Sequence, residues 1–176
     1  MEESIKSSAR LAGDDVRKDD NIIQPEGFIC QDNLTYDIWK SLGLKEVNPR
    51  QLSPLVLAYI GDSIFDLVVK TMIVTKGNTQ VNKMNRAASS IVKAESQSKM
   101  IGYLEDKLTE EEESVYKRGR NAKSYTSAKN ASISDYRRAT GFEALMGYLY
   151  MSGRYERMCE LIKDALDYLE GERSGK

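Results

Sequence analysis

Apolar residues recur along this chain every three or four positions, which is the spacing of one face of an α-helix. The clearest segment begins at Ser53, a residue type that caps helices, followed by Pro54 at the first helical position. We therefore predict a long helix from Pro54 to about Thr75. It is apolar on nearly every face except at Asp62 and Asp66, so we expect it to be the central helix with neighbours all round.

The same spacing predicts further helices, and no segment shows the alternation that is typical of a strand. Thr109 and Glu112 match a capping box, and Gly153 separates the last two helices. We therefore predict an all-α domain without internal repeats. The remaining predicted helices are a short one within 33–44 that ends at Gly43, one from Thr79 with a break around Glu95–Ser98 before Leu104, one from Thr109 to Arg120, one from about Ser134 to Met151, and one from about Arg154 to Leu169 that ends before Gly171.

Composition indicates one folded domain preceded by an irregular segment. The chain has 176 residues, of which 40% are hydrophobic and 30% charged, and this suits a single core. Residues 1–33 mix both charges with few large apolar groups, so we interpret them as a mobile or loosely attached extension. We predict an N-terminal extension over 1–47, a folded domain over 48–171 and a tail over 172–176.

Several features favour a cytoplasmic location without a membrane partner. No apolar run approaches the ~20 residues of a membrane-spanning helix, and the N-terminal MEESIKSSAR lacks the basic and apolar regions of a secretory signal. Cys30 and Cys159 are too few for a disulfide framework or a four-cysteine zinc site. We therefore expect a reducing compartment.

The absence of histidine restricts the possible chemistry more than any other feature. Without an imidazole the chain cannot use Ser-His-Asp or Cys-His hydrolysis, an H-E-x-x-H metal site or imidazole acid–base catalysis. It also has neither a P-loop nor a G-x-G-x-x-G fingerprint. An enzyme with this composition needs carboxylates, lysines, hydroxyls or a hard metal ion, and a Ser-Lys hydrolase stays open.

Two acids within apolar helices are the main candidates for chemistry. Asp62 follows Gly61 in the long helix, and Glu143 lies in ATGFEALMGYLY with Ala139 and Gly147 one turn away on its own face. If the helices cross at these small residues, the two carboxylates meet. Oxygen ligands without histidine favour Mg2+ or Mn2+ over zinc. The alternative is that both acids belong to structural networks.

A basic run precedes the helix that carries Glu143. The segment KRGRNAKSYTSAK, residues 117–129, has five cations and no acid, although the net charge of the chain is -1. Its interleaved hydroxyl and amide side chains suit phosphates and ribose hydroxyls, which favours RNA as the partner. A solvated loop is the alternative. The candidate RNA-binding residues are Arg118, Arg120, Asn121, Lys123 and Lys129.

Three blocks together resemble the ribonuclease III catalytic domain, and specifically its Mini-ribonuclease III subfamily. They are QLSPLVLAYIGDSIFDLVV, EEEESVYKRGRNAKS and YRRATGFEALMGYLY, in that order between about Arg50 and Leu169. The resemblance implies an all-α homodimer that cleaves double-stranded RNA with Mg2+, without the separate RNA-binding domain of full-length ribonuclease III, for which we expect no room here. It also implies that Asp62 and Glu143 are the catalytic residues that hold the metal.

Two positions depart from full-length ribonuclease III. Where that enzyme has further carboxylates, this chain has Ala58 and Thr140, and the mini subfamily likewise has small or hydroxyl residues there. The thinner ligand set leaves the number of metal ions open and gives no support for a two-metal clamp. Residues 1 to about 45 match no segment of the short mini forms.

We therefore expect a Mg2+-dependent endoribonuclease in which the metal ion activates a water molecule, leaving 5'-phosphate and 3'-hydroxyl ends. The resemblance further implies maturation of the large-subunit (23S) ribosomal RNA precursor. Two other classes stay open. One is a non-catalytic double-stranded-RNA-binding module on the same fold, and the other is an all-α protein-interaction domain without RNA affinity.

Overall fold

The computed structural model describes residues 34–123 and 132–174, with side chains up to residue 172. Within these residues the protein is all-α, as predicted, with no strand. The predictions for residues 1–33, for most of the loop that leads to Ser132, and for Lys129 lie outside the described residues. The helices are α1 (Leu34–Ser41), α2 (Pro54–Thr75), α3 (Val81–Val92), α4 (Ala94–Leu104), α5 (Glu110–Arg120), α6 (Ile133–Met151) and α7 (Tyr155–Ser174), with short 3-10 turns at Pro49–Gln51 and Glu105–Lys107.

Side-chain caps fix the starts of three helices. Ser53 Oγ accepts a hydrogen bond from the Val56 amide at 3.3 Å, so α2 begins at Pro54 as predicted. The predicted capping box is also present, because Thr109 Oγ1 accepts from the Glu112 amide and Glu112 accepts from the Thr109 amide. Ser132 caps α6 in the same way.

The break between α3 and α4 lies at Lys93 and not around Glu95–Ser98, where we predicted it. Polar residues in that stretch stay helical because their side chains bond the carbonyl end of α3. Ser96 Oγ donates to the Ser90 carbonyl at 2.9 Å, and Gln97 Nε2 donates to the Val92 carbonyl at 2.8 Å. The polar residues that resembled a helix stop in the sequence therefore form the joint between α3 and α4, in which the buried side chains of Ser96 and Gln97 bond carbonyl groups of α3.

The prediction that the last helix ends near Leu169 was wrong, because α7 continues through Gly171 to Ser174. A Cβ atom at Gly171 would meet nothing within 4 Å. No tertiary contact near this glycine therefore enforces a stop, and a glycine alone does not end a helix.

The central helix is α6 rather than α2, contrary to our prediction. Nearly every residue from Ala139 to Tyr150 is buried, because α2, α4, α5 and α7 all pack around this segment. In contrast, α2 buries one face only. Apolar composition shows that a helix can be buried on all sides, but not that the same chain supplies every neighbour. Five large apolar residues of α2 stay exposed, namely Leu55, Val56, Tyr59, Leu67 and Val74.

The predicted short helix before residue 44 is present as α1, and it packs on the end of α6 and the start of α7. Trp39 is buried, and Thr35 Oγ1 donates to the Tyr150 carbonyl at 3.1 Å. The Tyr155 hydroxyl accepts from the Thr35 amide at 2.6 Å. The division at residue 47 stays a prediction, although α1 itself is attached to the domain. In the described part of the chain, no helix combines the length and hydrophobicity needed to cross a membrane.

Candidate metal centre and nucleic-acid face

The candidate metal centre lies where α2 and α6 cross. A Cβ atom at Gly61 would stand 1.8 Å from the Glu143 carbonyl oxygen, and one at Gly147 would stand 2.0 Å from the Leu57 carbonyl oxygen. The two backbones therefore touch directly, which is possible only because both positions are glycine. Asp62 follows Gly61 and Glu143 is the contacted residue, so the crossing brings both candidate acids to one place.

The charges of the two acids are coupled. Burial, and then the charge of Asp62, raise the pKa of Glu143 to about 7, while the Gln97 amide counteracts the rise by hydrogen bonding. The pKa of Asp62 is also raised, first by partial burial and then by Asp66. The two pKa shifts are consistent with each other if Glu143, the more deeply buried acid, stays protonated to a higher pH than Asp62 does. Asp62 then acts on it as a charge, whereas neutral Glu143 exerts little charge on Asp62.

Asp66 does not join this pair as an additional site acid. Its Oδ2 accepts from Lys70 Nζ at 2.6 Å in an ion pair one turn along α2. Both side chains are substantially exposed, so this is an ordinary surface pair. Asp66 therefore serves as a comparison residue for Asp62 on the same helix.

The oxygen atoms at the crossing suit a hard divalent cation. No group of three or more acidic, cysteine or histidine side chains able to hold a metal occurs in the part that the structure describes, and the crossing offers two carboxylates, those of Asp62 and Glu143. Ala58 and Thr140 are both buried, and Thr140 Oγ1 donates to the Tyr136 carbonyl of its own helix. Mg2+ is commonly held by one or two carboxylates with several waters, so Mg2+ or Mn2+ fits this pair.

A polar side chain that the sequence did not single out lies next to the pair. Gln97 of α4 is 1% exposed and reaches Glu143 through its amide. Its Oε1 atom is buried and has no hydrogen-bond partner among the described residues. No sequence pattern marked Gln97 as a site residue, because the polar residues around it resembled a break between helices.

The basic run is held against α6 by a second close helix crossing. A Cβ atom at Gly119 would stand 2.7 Å from Ala144 Cβ and 2.9 Å from Gly141 Cα. The basic end of α5 therefore lies directly on the helix that carries Glu143.

The predicted RNA-binding residues divide between two sides of α5. Arg118 donates to the Leu52 carbonyl at 3.1 Å and lines a groove beside Pro54. Arg120 lies over the Tyr116 ring at 5.6 Å and faces the start of α6. Asn121 borders both sides of α5. Lys123 follows α5 within the residues that the structure describes, and Lys129 lies outside them.

The side that faces α6 is an arginine-lined cleft of about 460 Å3. Arg138 donates to Glu105 at 3.1 Å, while the exposed Arg137 makes no ion pair within the described residues. Sequence reasoning assigned neither arginine to RNA binding, although both lie within the YRRATGFEALMGYLY block that contains Glu143. The cleft is lined by Arg120, Asn121, Ile133, Ser134, Arg137 and Arg138.

Comparison with known proteins accounts for this arrangement. Residues 55–154 match the Ribonuclease III domain, and this span contains both crossings and both acids. The chain belongs to the ribonuclease III family. It is 49% identical to a Mini-ribonuclease 3 of Clostridium tetani over 122 residues, which cover 69% of this chain and 81% of the relative. It is 47% identical to a Mini-ribonuclease 3 of Brevibacillus brevis over 125 residues, which cover 71% and 93%.

The fold comparison agrees with the family. A crystal structure of a protein from Fusobacterium nucleatum superposes with a TM-score of 0.62 at 27% identity, covering 70% of this chain and 96% of the other. The predicted resemblance to the ribonuclease III catalytic domain and to its mini members is thus confirmed. This ribonuclease III family chain is an endoribonuclease, that is, a hydrolase of RNA phosphodiester bonds.

Proposed function

We propose that this ribonuclease III family protein cleaves double-stranded RNA in a Mg2+-dependent reaction that leaves 5'-phosphate and 3'-hydroxyl ends. The observation that carries the proposal is the meeting of Asp62 and Glu143 at the glycine crossing of α2 and α6. A pair of carboxylates is suited to binding a hard cation, and the absence of histidine excludes imidazole catalysis.

In this proposal each residue at the crossing has a distinct task. Asp62 and the ionised form of Glu143 would hold Mg2+, with Mn2+ as a substitute. When bound, the cation supplies an activated water and stabilises the charge that develops on the phosphate. Gly61 and Gly147 keep the two helices close enough for both acids to serve one site. Burial of Glu143 couples its deprotonation to cation binding.

The basic end of α5 and the arginine-lined cleft would bind the RNA backbone. A-form RNA presents phosphates and 2'-hydroxyls across a shallow minor groove, and arginine and asparagine side chains suit both groups. Arg118, Arg120, Asn121 and Lys123 lie at this end of α5, and Lys129 belongs to the same proposal. Arg137 extends the surface onto α6, the helix that carries Glu143.

The proposed partner in the assembly is a second copy of the chain. The exposed face of α2 carries Tyr59 at 80% exposure, with Val56, Leu67 and Val74 along the same helix. An apolar stripe of this kind marks an interaction surface. A homodimer across α2 would set two sites close together, one for each strand of the duplex.

The cellular part of the proposal rests on the family resemblance. We propose maturation of the large-subunit (23S) ribosomal RNA precursor in the cytoplasm as the task. The exposed free thiol of Cys159 is compatible with a reducing compartment.

Cleavage of a long RNA duplex with analysis of the product ends tests the proposal. The purified protein should cut the duplex only when Mg2+ or Mn2+ is present, and the products should carry 5'-phosphates. Cleavage that persists with a strong chelator, or products that end in cyclic phosphates, would contradict it. RNA that is bound but never cut would favour a non-catalytic RNA-binding module.

A further inference from the structure

The joint between α3 and α4 places a buried amide beside the proposed metal centre. Gln97 is 1% exposed, and its Nε2 donates to the Val92 carbonyl at 2.8 Å, which fixes the orientation of the amide group. The same amide hydrogen-bonds toward Glu143 on α6, against which α4 packs. Gln97 therefore links the end of α3 to one of the two site acids.

The other half of this amide has no partner. Oε1 of Gln97 is one of two buried side-chain polar atoms without a hydrogen bond in the described part of the chain, the other being Nε of Arg138. A buried carbonyl oxygen without a donor is costly, and such atoms are uncommon in folded proteins. The anchored Nε2 prevents the amide from turning Oε1 out to solvent. This oxygen therefore requires a donor that the nearby side chains do not supply.

We propose that Gln97 is a positioning residue of the metal centre, whose Oε1 accepts hydrogen bonds from the hydration shell of the cation held by Asp62 and Glu143. This inference rests on the proposed function. Gln97 Oε1 would be a third oxygen at a site where the described residues provide two carboxylates. Residues behind the direct ligands commonly tune metal affinity by orienting those ligands and their waters.

Ser96 provides a matched comparison at the same joint. It is 4% exposed, it neighbours Gln97 in α4, and its Oγ donates to the Ser90 carbonyl at 2.9 Å. No contact with Glu143 is among its described interactions. A Ser96→Ala variant therefore weakens the α3–α4 joint without removing the Gln97 amide.

The test measures Mn2+ and Mg2+ binding by titration calorimetry at pH 8 on the full chain without RNA, with folding checked by circular dichroism. Gln97→Leu and the longer, unbranched Gln97→Met should each lower the affinity by roughly tenfold or more. Gln97→Glu keeps an oxygen acceptor and should retain wild-type affinity or exceed it. Ser96→Ala should bind as the wild type does.

Three results would overturn the inference. The first is unchanged affinity in both Gln97→Leu and Gln97→Met. The second is an equal loss in Ser96→Ala, which would assign the effect to the joint. The third is a loss in Gln97→Glu as large as in Gln97→Leu, which would assign it to the N–H group. If the wild type and Asp62→Asn alike bind no cation, the metal part of the proposed function fails together with the inference, whereas any of the first three results leaves that function intact.

Discussion

Glu143 is a carboxyl group in a place that favours its protonated form. Burial, and then the negative charge of Asp62, hold its pKa at about 7, compared with an ordinary value of 4.5. Without a cation, the ionised pair repels itself inside a partly dry crossing. In the function proposed above, the same charges would hold the cation. The repulsion that destabilises the metal-free fold would then favour binding of a divalent ion.

Replacement of Glu143 by glutamine should stabilise the metal-free protein in a pH-dependent way. Between about pH 4.5 and 7 the folded wild type keeps a proton that the unfolded chain releases, so its stability falls as the pH rises through that window. Glu143→Gln removes this loss. We expect a gain on the order of 1–3 kcal/mol at pH 8 that vanishes near pH 4, measured by urea denaturation with a chelator present.

The control for this prediction is the exposed Glu46 in the segment before α2. Glu46→Gln should leave the difference between pH 4 and pH 8 unchanged. A Glu143→Gln variant that is less stable than the wild type at pH 8 would show that the carboxylate is stabilised, and not strained, by its surroundings.

At the scale of helices, the fold depends on two close crossings that bring the site together. Gly61 and Gly147 join α2 to α6, while Gly119 and Gly141 join α5 to α6. The first crossing sets the carboxylate pair, and the second sets the basic end of α5. Both converge on α6, which explains why that helix is buried along most of its length.

Alanine at Gly61 or Gly147 should disrupt the first crossing. The added Cβ would lie 1.8 Å or 2.0 Å from a backbone oxygen, so the helices must separate. We expect the free energy of unfolding to fall by about 1–3 kcal/mol or more, and RNA cleavage to be lost. Thermal denaturation and a cleavage assay measure the two effects.

Gly171→Ala is the matched control, since it lies within helix α7 with open space around its Cβ position. It should be neutral or stabilise by about 0.5–1 kcal/mol. Equal destabilisation at all three glycines would show that the crossing is not the cause.

Helix starts were predictable because capping is local: Ser53 and Thr109 act within three residues of themselves. The meeting of α2 and α6 was also foreseeable, because small residues flank each acid. The joint at Lys93 was not, since Ser96 and Gln97 stay helical through contacts with the end of another helix. The sequence shows the polar residues but not the carbonyl groups that satisfy them.

At the scale of the whole molecule, α2 has two different faces. One face buries Phe65 and Val69 against the domain, and the other exposes Tyr59 and Leu67. The sequence predicted an apolar helix but wrongly placed it at the centre, because apolar composition does not show how many neighbouring helices the chain itself supplies. Likewise, Arg137 was missed because its proximity to Arg120 arises only when α5 and α6 pack.

A charge on the exposed face of α2 should separate the proposed dimer. We expect the wild type to be dimeric and Leu67→Glu to be monomeric but folded, as measured by light scattering after size exclusion. Val81→Glu, at a residue that is 68% exposed at the start of α3, is the control and should stay dimeric. A monomeric wild type, or a Leu67→Glu variant that stays dimeric, would contradict the use of this face.

A comparison of Asp62→Asn with Asp66→Asn in Mg2+-dependent cleavage of one RNA duplex tests the proposed metal centre. Both acids lie on α2 one turn apart, but only Asp62 belongs to the pair with Glu143. We predict that Asp62→Asn loses about 100-fold or more of the rate, because several kcal/mol of charge stabilisation depend on the cation. Asp66→Asn should cleave at a rate close to that of the wild type. Equal rates for the wild type and Asp62→Asn would contradict the assignment of the metal centre.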